Sequence, residues 1–412
     1  RPKARIEAFS GAYSDYGDSH YVSTYKDWSE LAQAYEKAAS AKALPTDKIK
    51  TLAQQLTAEA KTPRAKALLL SDWVRKNIRY VALWLGRDGV VPHAAESVLD
   101  NRYGDCKDHA TLLLAMLKAV DIDGSTALIN QGNRYQLPAV PVLSAFNHAI
   151  VYLPELDLYL DPTATVIAAG FLPVPELDKP VLLTKLGKLG HTPAVQRNDS
   201  DSQYTMALGS DGSAELKGDQ HIAGALAELN RYILNNLPEA QKSKMVSNLL
   251  RTQNLTGDGQ MLLNGKQDQP DQQSITITAH IDSLASLPGP VGMPTLTSLG
   301  GGIAANLQSF LSEASRSQPF ACVPSKVREE VRFTLPKGVS INSLPKPLKL
   351  DDRYFAYQAS YRQDGQAVLV QREMAVKPQS HLVCTAEDFT AMLPALKQMA
   401  RDVSSQIIVA AE

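Results

Sequence analysis

The chain has little cysteine, no excess of charge of either sign and no apolar run long enough to span a bilayer. Each shortage closes off a class of function. Three cysteines in 412 residues, none in CxxC spacing, argue against a zinc or iron–sulfur site. The 42 Lys and Arg nearly cancel the 43 Asp and Glu, leaving a formal net charge of −1. The whole chain therefore carries no electrostatic footprint for nucleic acid or an anionic membrane. Its longest strongly apolar runs, Ala110 to Val120 and Ile407 to Ala411, are too short for a transmembrane segment. Internal repeats and low-complexity runs are also lacking.

What is there is ordinary core material. With 44% hydrophobic and 21% charged residues, the composition is that of a globular protein. The length calls for two or three domains. The first residue is Arg1 rather than Met, so an upstream signal peptide, another domain or both are expected to have preceded it.

Residues 1–27 are polar, lack a sustained period and read as a linker or the remnant of an upstream domain. Helical patterning starts at Asp27, with Trp28, Leu31, Ala32 and Tyr35 on one face. Further helices are expected after Pro45-Thr46-Asp47 and after Thr62-Pro63, the latter striped by Ala67, Leu70, Trp73, Val74 and Ile78. Tyr80 to Leu85 suits a short strand or an irregular connection. A fourth helix, from Cys106 to about Val120, is apolar on several sides and is expected to be central. Strands are then predicted at Ser125 to Asn130, Asn147 to Leu153 and Leu156 to Asp161, with loop-rich insertions at Pro138 to Pro141 and Pro173 to Pro180. Helices followed by antiparallel strands make an α+β domain over residues 28–195.

Polar, turn-prone residues around 192–203 mark the main boundary. The remainder, 203–412, is expected to be β-rich, with strands at Gln203 to Leu208, Ala214 to Ile222, Gln273 to Asp282, Val331 to Leu335, Tyr354 to Arg362 and Gln366 to Val376. Helices interrupt it at about 223–251, 303–313 and 386–402. Cys322 and Cys384 lie in this part. Their spacing is compatible with a domain-stapling disulfide, which would need an oxidising compartment, and equally with two separate small apolar residues.

The chemistry concentrates on Tyr103-Gly104-Asp105-Cys106-Lys107-Asp108. Asp105 is a good N-cap, with Asp108 three residues on in a variant of the capping box. Cys106 then falls in the first helical turn, where unpaired backbone N–H groups and the helix dipole favour a thiolate, the nucleophilic form of cysteine. Gly104 allows the sharp approach to the helix. A base is needed, and His148 is the best candidate. If the following hairpin turns on Pro154-Glu155, His148 and Asp161 stand directly opposite on neighbouring strands, with side chains on one face. Asp161 then holds the second imidazole nitrogen and sets tautomer and orientation. Cys106, His148 and Asp161 form a candidate catalytic set for attack on amides or esters through a thioester.

Other readings are weaker. His109 shares the helix of Cys106, which directs its ring along the axis and suits a structural role better than that of base. His93, His109 and nearby carboxylates have no metal-site spacing, so neither metal nor cofactor is expected. Tyr80 and Trp84 could line a cleft or help an oxyanion beside the Cys106 N–H, but packing is their simpler role. Trp28 and Trp73 sit on amphipathic stripes and belong to the core.

These motifs in this order resemble the bacterial transglutaminase-like superfamily. The resemblance is carried by Trp73-Val74-Arg75-Lys76-Asn77-Ile78-Arg79-Tyr80, by Arg102-Tyr103-Gly104-Asp105-Cys106-Lys107-Asp108, by Asn147-His148-Ala149 and by Leu160-Asp161-Pro162-Thr163. It covers about residues 63–165 and implies a papain-like fold with Cys106, His148 and Asp161 as the triad. Val22-Ser23-Thr24-Tyr25-Lys26-Asp27-Trp28 is similar to the start of the core in one subgroup. There a β-sandwich of unknown function precedes the core, apparently missing here, and a β-rich domain follows it.

The resemblance also implies a periplasmic or secreted location in Gram-negative bacteria. It leaves the reaction open, because fold and triad are shared by several activities. Hydrolysis of a peptide or side-chain amide in a cell-envelope substrate is the favoured expectation. Transamidation is the close variant. The contrasting possibility is a non-catalytic envelope module with a vestigial site, whose β-rich region binds proteins or glycans.

Overall fold

The computed structural model describes residues 6–11, 20–82, 89–264 and 269–411. The chain divides into two units, residues 11–195 and residues 1–10 with 196–412. Among the described residues no helix is long and apolar enough to cross a membrane.

The first unit begins with three helices whose ends follow local rules. α1 (Trp28–Ala39) is capped by Asp27, α2 (Asp47–Thr57) follows, and α3 (Pro63–Asn77) has Thr62 as cap and Pro63 in its first turn. Next come β1 (Arg79–Tyr80), α4 (Ala95–Asn101), β2 (Tyr103–Gly104) and α5 (Cys106–Lys118). α4 was not foreseen: its seven residues are too few for a clear 3.6-residue period. α5 is buried on nearly every side, with Leu112, Leu113, Met116 and Leu117 in a core shared with α3, α4 and Val151, Leu153 and Leu160 of the sheet.

That sheet has the order β5-β4-β3-β6-β7 and is antiparallel, with β3 (Ser125–Ile129), β4 (His148–Leu153), β5 (Leu158–Leu160), β6 (Pro180–Leu183) and β7 (Lys188–His191). α1 joins a second core, where Leu31, Ala32 and Tyr35 meet Leu128, Phe146 and Ala149. Trp28 is half-buried against Phe146, ring centroids 5.7 Å apart, while Trp73 packs beside the first core under the Arg102 guanidinium.

The hairpin register differs from expectation. Val151 pairs with Leu160 and Leu153 with Leu158, which slips the pairing by two residues, so His148 and Asp161 are not directly opposite. The cause is the turn. Pro154–Leu156 form a 3-10 turn and Asp157 adopts a left-handed φ of 43°, giving a longer connection than a two-residue Pro-Glu turn. A slip of two leaves every side chain on its original face, whereas a slip of one would have reversed it.

The second unit is built on an eight-stranded sheet. Its elements, in chain order, start with β8 (Asn198–Leu208), β9 (Ala214–Gly224), α6 (Leu226–Asn236), α7 (Glu239–Thr252), β10 (Gly257–Asn264) and β11 (Gln272–Ile281). β12 (Val291–Pro294), α8 (Gly302–Phe310), β13 (Phe320–Ala321), β14 (Ser325–Thr334), β15 (Val339–Ser343) and β16 (Leu348–Asp351) follow. The unit ends with β17 (Phe355–Asp364), β18 (Ala367–Val376), β19 (Val383–Cys384), α9 (Ala386–Val403) and β20 (Gln406–Ala411).

The large sheet runs β10-β11-β9-β8-β14-β18-β17-β16, antiparallel except for the β8–β14 pair. Alternation of buried and exposed residues from Ser202 to Leu208 in β8 and from Ala214 to Ile222 in β9 leaves one face for the core. The single helix expected over 223–251 is two, interrupted at Pro238, which cannot continue a ladder of N–H bonds. β10, β12, β13, β15, β16, β19 and β20 were not anticipated. β14 is longer than expected because its first half, Ser325 to Glu330, alternates charged residues on the open face.

Residues 6–10, read from sequence as linker or remnant, are tied to this second unit. The Glu7 carboxylate accepts from the Ser317 and Gln318 backbone N–H groups, at 2.8 and 3.2 Å, and Ser10 bridges Phe320. The open question over the distal cysteines resolves to a Cys322–Cys384 disulfide beside the β13–β19 pair, closing a sequence separation of 62 residues. Replacing both cysteines with Ser should destabilise this unit by about 2–4 kcal/mol, chiefly by loosening the unfolded chain. Urea unfolding followed with and without reductant measures it. Equal midpoints for wild type in both conditions would show that the bridge adds nothing.

Candidate active site

The site grows from the start of α5. The Asp105 side chain accepts from the Asp108 N–H and the Asp108 side chain from the Asp105 N–H, closing the capping box. Cys106, half-buried and a free thiol, occupies the first helical position, so its own N–H is one of the donors a helix leaves unpaired. Gly104 is required by crowding. A Cβ there would lie 2.5 Å from the Asp108 Cβ, too close for any side chain. Asp108 is busy on its other side as well, accepting from the His93 N–H at 2.8 Å. Lys107 turns back to pair with Asp105 in a buried contact.

Parallel pairing of β1 with β2 sets Tyr80 beside Gly104. Tyr80 is thereby brought to the same cavity as Cys106. Burial, then the charges of Cys106 and Asp105, push its phenol up to about 12. Tyr80 is 44% exposed, so it is a wall of the site and more than a packing residue. Trp84, its possible companion, lies outside the described residues. From α1, Tyr35 closes another side, its phenol raised by burial and by the charges of Cys106 and Asp105. Tyr35, Tyr80, Cys106, Lys107, Phe146 and His148 line a cavity of about 120 Å³.

His148 opens β4 and is 6% exposed. Its Nε2 lies 3.2 Å from Asp161 Oδ2, and Asp161 follows directly on β5. The ring lines the same cavity as Cys106, and with Nε2 engaged by Asp161 the nitrogen left to face the thiol is Nδ1. The structure thus brings Cys106 and His148 to one cavity and hydrogen-bonds His148 to Asp161, through a diagonal pairing and not the opposed one. Asp161 Oδ1 accepts from the Thr163 N–H at 2.8 Å and Thr163 Oγ1 at 2.7 Å. This is an Asx turn, a signal readable in Asp161-Pro162-Thr163.

Electrostatics favours a charged pair. Burial opposes protonation of His148, but the Asp161 charge and the bond to it prevail, holding the imidazole well above its ordinary value. For Asp161, burial acts upward and the charge of His148, with hydrogen bonds from His148 and Thr163, pulls the carboxyl down to about 2.

Glu176 was not singled out from the sequence. It ends a 3-10 turn, Val174–Glu176, inside what reads as a Pro-rich insertion, and is 0% exposed. Nothing local in Val-Pro-Glu announces that a carboxyl will be buried against His148 and Asp161. Gln131 Nε2 donates to its Oε1 at 2.8 Å, and that oxygen is 3.7 Å from His148 Nε2. Donor atoms of His148, Asp161 and Glu176 come within 4.8 Å of one another, and among the described residues this is the group closest to a metal-site arrangement. His148 and Asp161 bond each other, Asp161 also bonds Thr163 and Glu176 bonds Gln131, and we assign the group no ion.

His109 is buried, with Nδ1 2.8 Å from the Asp105 carbonyl and Nε2 3.1 Å from the Ile78 carbonyl. It ties α5 to the end of α3 at Ile78 and has no nitrogen left for Cys106. His93 faces Asp108 alone, so His93 and His109 do not share a set of ligands.

Residues 50–132 match the transglutaminase-like superfamily, a stretch that contains Cys106 and stops short of His148 and Asp161. Residues 302–409 match a Domain of Unknown Function (DUF3858). A transglutaminase-like core followed by a β-rich C-terminal domain is therefore present, as the motifs led one to expect. A solved structure described as a "putative protease" from Parabacteroides distasonis is similar in fold, with a TM-score of 0.60 at 14% identity. The match covers 100% of this chain and 64% of that one, so this chain spans under two thirds of its length. No curated protein matches the chain.

Proposed function

We propose that the first unit is a thiol-dependent acyl-transfer enzyme acting on peptide or side-chain amides, with hydrolysis as its reaction. The supporting observation is that Cys106 and His148 line one cavity of about 120 Å³, with His148 hydrogen-bonded to Asp161. The transglutaminase-like match and the protease-like fold neighbour support a cysteine-protease-like or transglutaminase-like function at this coarser level.

The steps follow from the residues. His148 Nδ1 takes the thiol proton, and the Cys106 sulfur attacks the amide carbonyl carbon. The Cys106 N–H, left unpaired by the helix, is placed to donate to the developing oxyanion. His148 then gives its proton to the amide nitrogen, the C–N bond breaks, and an amine leaves a thioester on Cys106. Water, deprotonated by His148, attacks that thioester and releases a carboxylic acid and the thiol. Asp161 keeps the imidazole oriented and stabilises its positive form throughout. An amine replacing water in the last step gives transamidation. We further propose a periplasmic or secreted location for substrate and enzyme, on the strength of the Cys322–Cys384 disulfide.

The test is direct. The protein is incubated with a cell-envelope extract, quenched in acid and digested, and the Cys106 peptide is weighed by mass spectrometry. An acyl adduct on Cys106 that decays in water is the expected result, and a primary amine that accelerates its decay selects transamidation. A Cys106 that acquires no adduct, and is alkylated by iodoacetamide no faster than a free thiol at pH 7, sinks the enzyme reading in favour of a binding module.

A further inference from the structure

We propose that Glu176 is a positioning residue of this site, a neutral carboxylic acid that donates its proton to Asp161 and so fixes the carboxylate that orients His148. The inference rests on the triad reading above and adds a member to it. Geometry carries it. Glu176 is fully buried, its Oε1 accepts from Gln131 Nε2 at 2.8 Å, and no donor reaches its Oε2. A buried oxygen with no donor is costly, and two ionised carboxylates within hydrogen-bonding reach repel each other. One proton removes both penalties, because an acid O–H needs an acceptor and Asp161 is one. Oxygens of the two carboxyls lie within 4.8 Å of each other, and burial and the Asp161 charge together raise Glu176 well above the ordinary carboxyl range, against the opposing charge of His148.

The surroundings leave Glu176 few alternatives. His148 faces it from β4, Asp161 from the end of β5 and the neutral Gln131 from beyond β3. Its main chain is pinned by Thr192, whose hydroxyl donates to the Glu176 carbonyl at 2.5 Å. With the proton on Glu176, Asp161 accepts from Thr163 on one oxygen and from His148 on the other, and Glu176 adds a donor without adding charge. Were Glu176 ionised instead, a second negative charge would sit 3.7 Å from Nε2 and further stabilise the imidazolium.

Glu176→Gln and Glu176→Ala separate these states. Gln keeps a donor for Asp161 and an acceptor for Gln131, and cannot ionise. The rate of Cys106 alkylation by iodoacetamide is measured from pH 4 to 10 in wild type and both variants. Glu176→Gln is expected to stay within about twofold of wild type with an unmoved profile, while Glu176→Ala loses about tenfold, the worth of a charge-assisted hydrogen bond. A Gln variant as slow as the Ala variant, an alkaline limb lowered by about one pH unit or more in Gln, or an Ala variant like wild type would each overturn the proposal.

Infrared difference spectra of wild type against Glu176→Gln give a readout independent of reactivity. The carbonyl stretch of a protonated acid is expected in wild type at pH 7 and absent from the variant, and its absence from wild type would also overturn the proposal. If wild-type Cys106 reacts like a free thiol while that band is present, it is the enzyme reading that fails and the shared proton that stands.

Discussion

Asp161→Asn is expected to slow alkylation of Cys106 at neutral pH by about 10- to 100-fold, and turnover of an amide substrate by on the order of 10²- to 10⁴-fold. The reason lies in opposed effects on His148. Burial works against the imidazolium and the Asp161 charge works for it, and at present the second prevails. An amide removes the charge and leaves the burial, so the imidazole becomes neutral and its partnership with the thiol weakens. Asn also matches Asp in shape but not in hydrogen bonding. Asp161 Oδ1 accepts two bonds from Thr163 while Oδ2 accepts from His148, and one of those places would be taken by an NH₂ facing donors.

The pH dependence has a definite sign. His148 is raised in the folded state, so its contribution to stability is complete below the unfolded value near 6.5 and is lost as pH rises through the raised value. Asp161 is lowered to about 2, so its contribution is present above about pH 4 and lost as pH falls toward 2. The charged pair therefore spans neutrality in wild type. Imidazole nitrogen NMR of His148 at pH 7 should show both ring nitrogens protonated in wild type and a neutral tautomer in Asp161→Asn. Unchanged spectra and alkylation rates in the variant would remove Asp161 from the site.

The second large effect concerns stability and lies in the C-terminal unit. Asp402→Ala should cost about 3–5 kcal/mol, because it strands a buried guanidinium. The Arg372 side chain is 1% exposed and bonds Asp402 Oδ2 at 3.1 Å, while Tyr357 and Tyr361 donate to Asp402 at 2.6 and 2.8 Å. The same guanidinium reaches the Thr295 and Leu296 carbonyls at 3.3 and 3.1 Å, so it joins β18, α9 and the segment after β12. Removing one member leaves the rest without compensation, whereas the double change Arg372→Met with Asp402→Leu should cost less than either single one. Urea unfolding of the three variants decides it, and a loss below about 1 kcal/mol for Asp402→Ala would mean that water replaces the carboxylate.

How far each feature could be read ahead depends on how local its cause is. The start of α5 was legible because an N-cap, its box partner and the apolar run after them lie within one stretch of chain. Alternation marked β8 and β9 for the same reason, since each strand has one wet face. β3 is buried along its whole length, and α4 is too short to show a period, so local pattern says less there. The hairpin register failed because Asp157 takes a left-handed turn that Pro-Glu-Leu-Asp does not require.

By itself, then, the sequence determined a helix that begins on a cysteine, a His and an Asp on the same side of two successive strands, and an α+β class with a β-rich domain after it. Those properties follow from neighbours a few residues apart and from side-chain parity, which survives a two-residue slip. Tertiary structure alone decided that His148 meets Asp161 diagonally, that Tyr80 and Tyr35 wall the Cys106 cavity, and that Glu176 is buried against Asp161. Each depends on segments far apart in the chain being pressed together with water removed. A carboxyl such as Glu176 gains a proton, and with it a role, only from that burial.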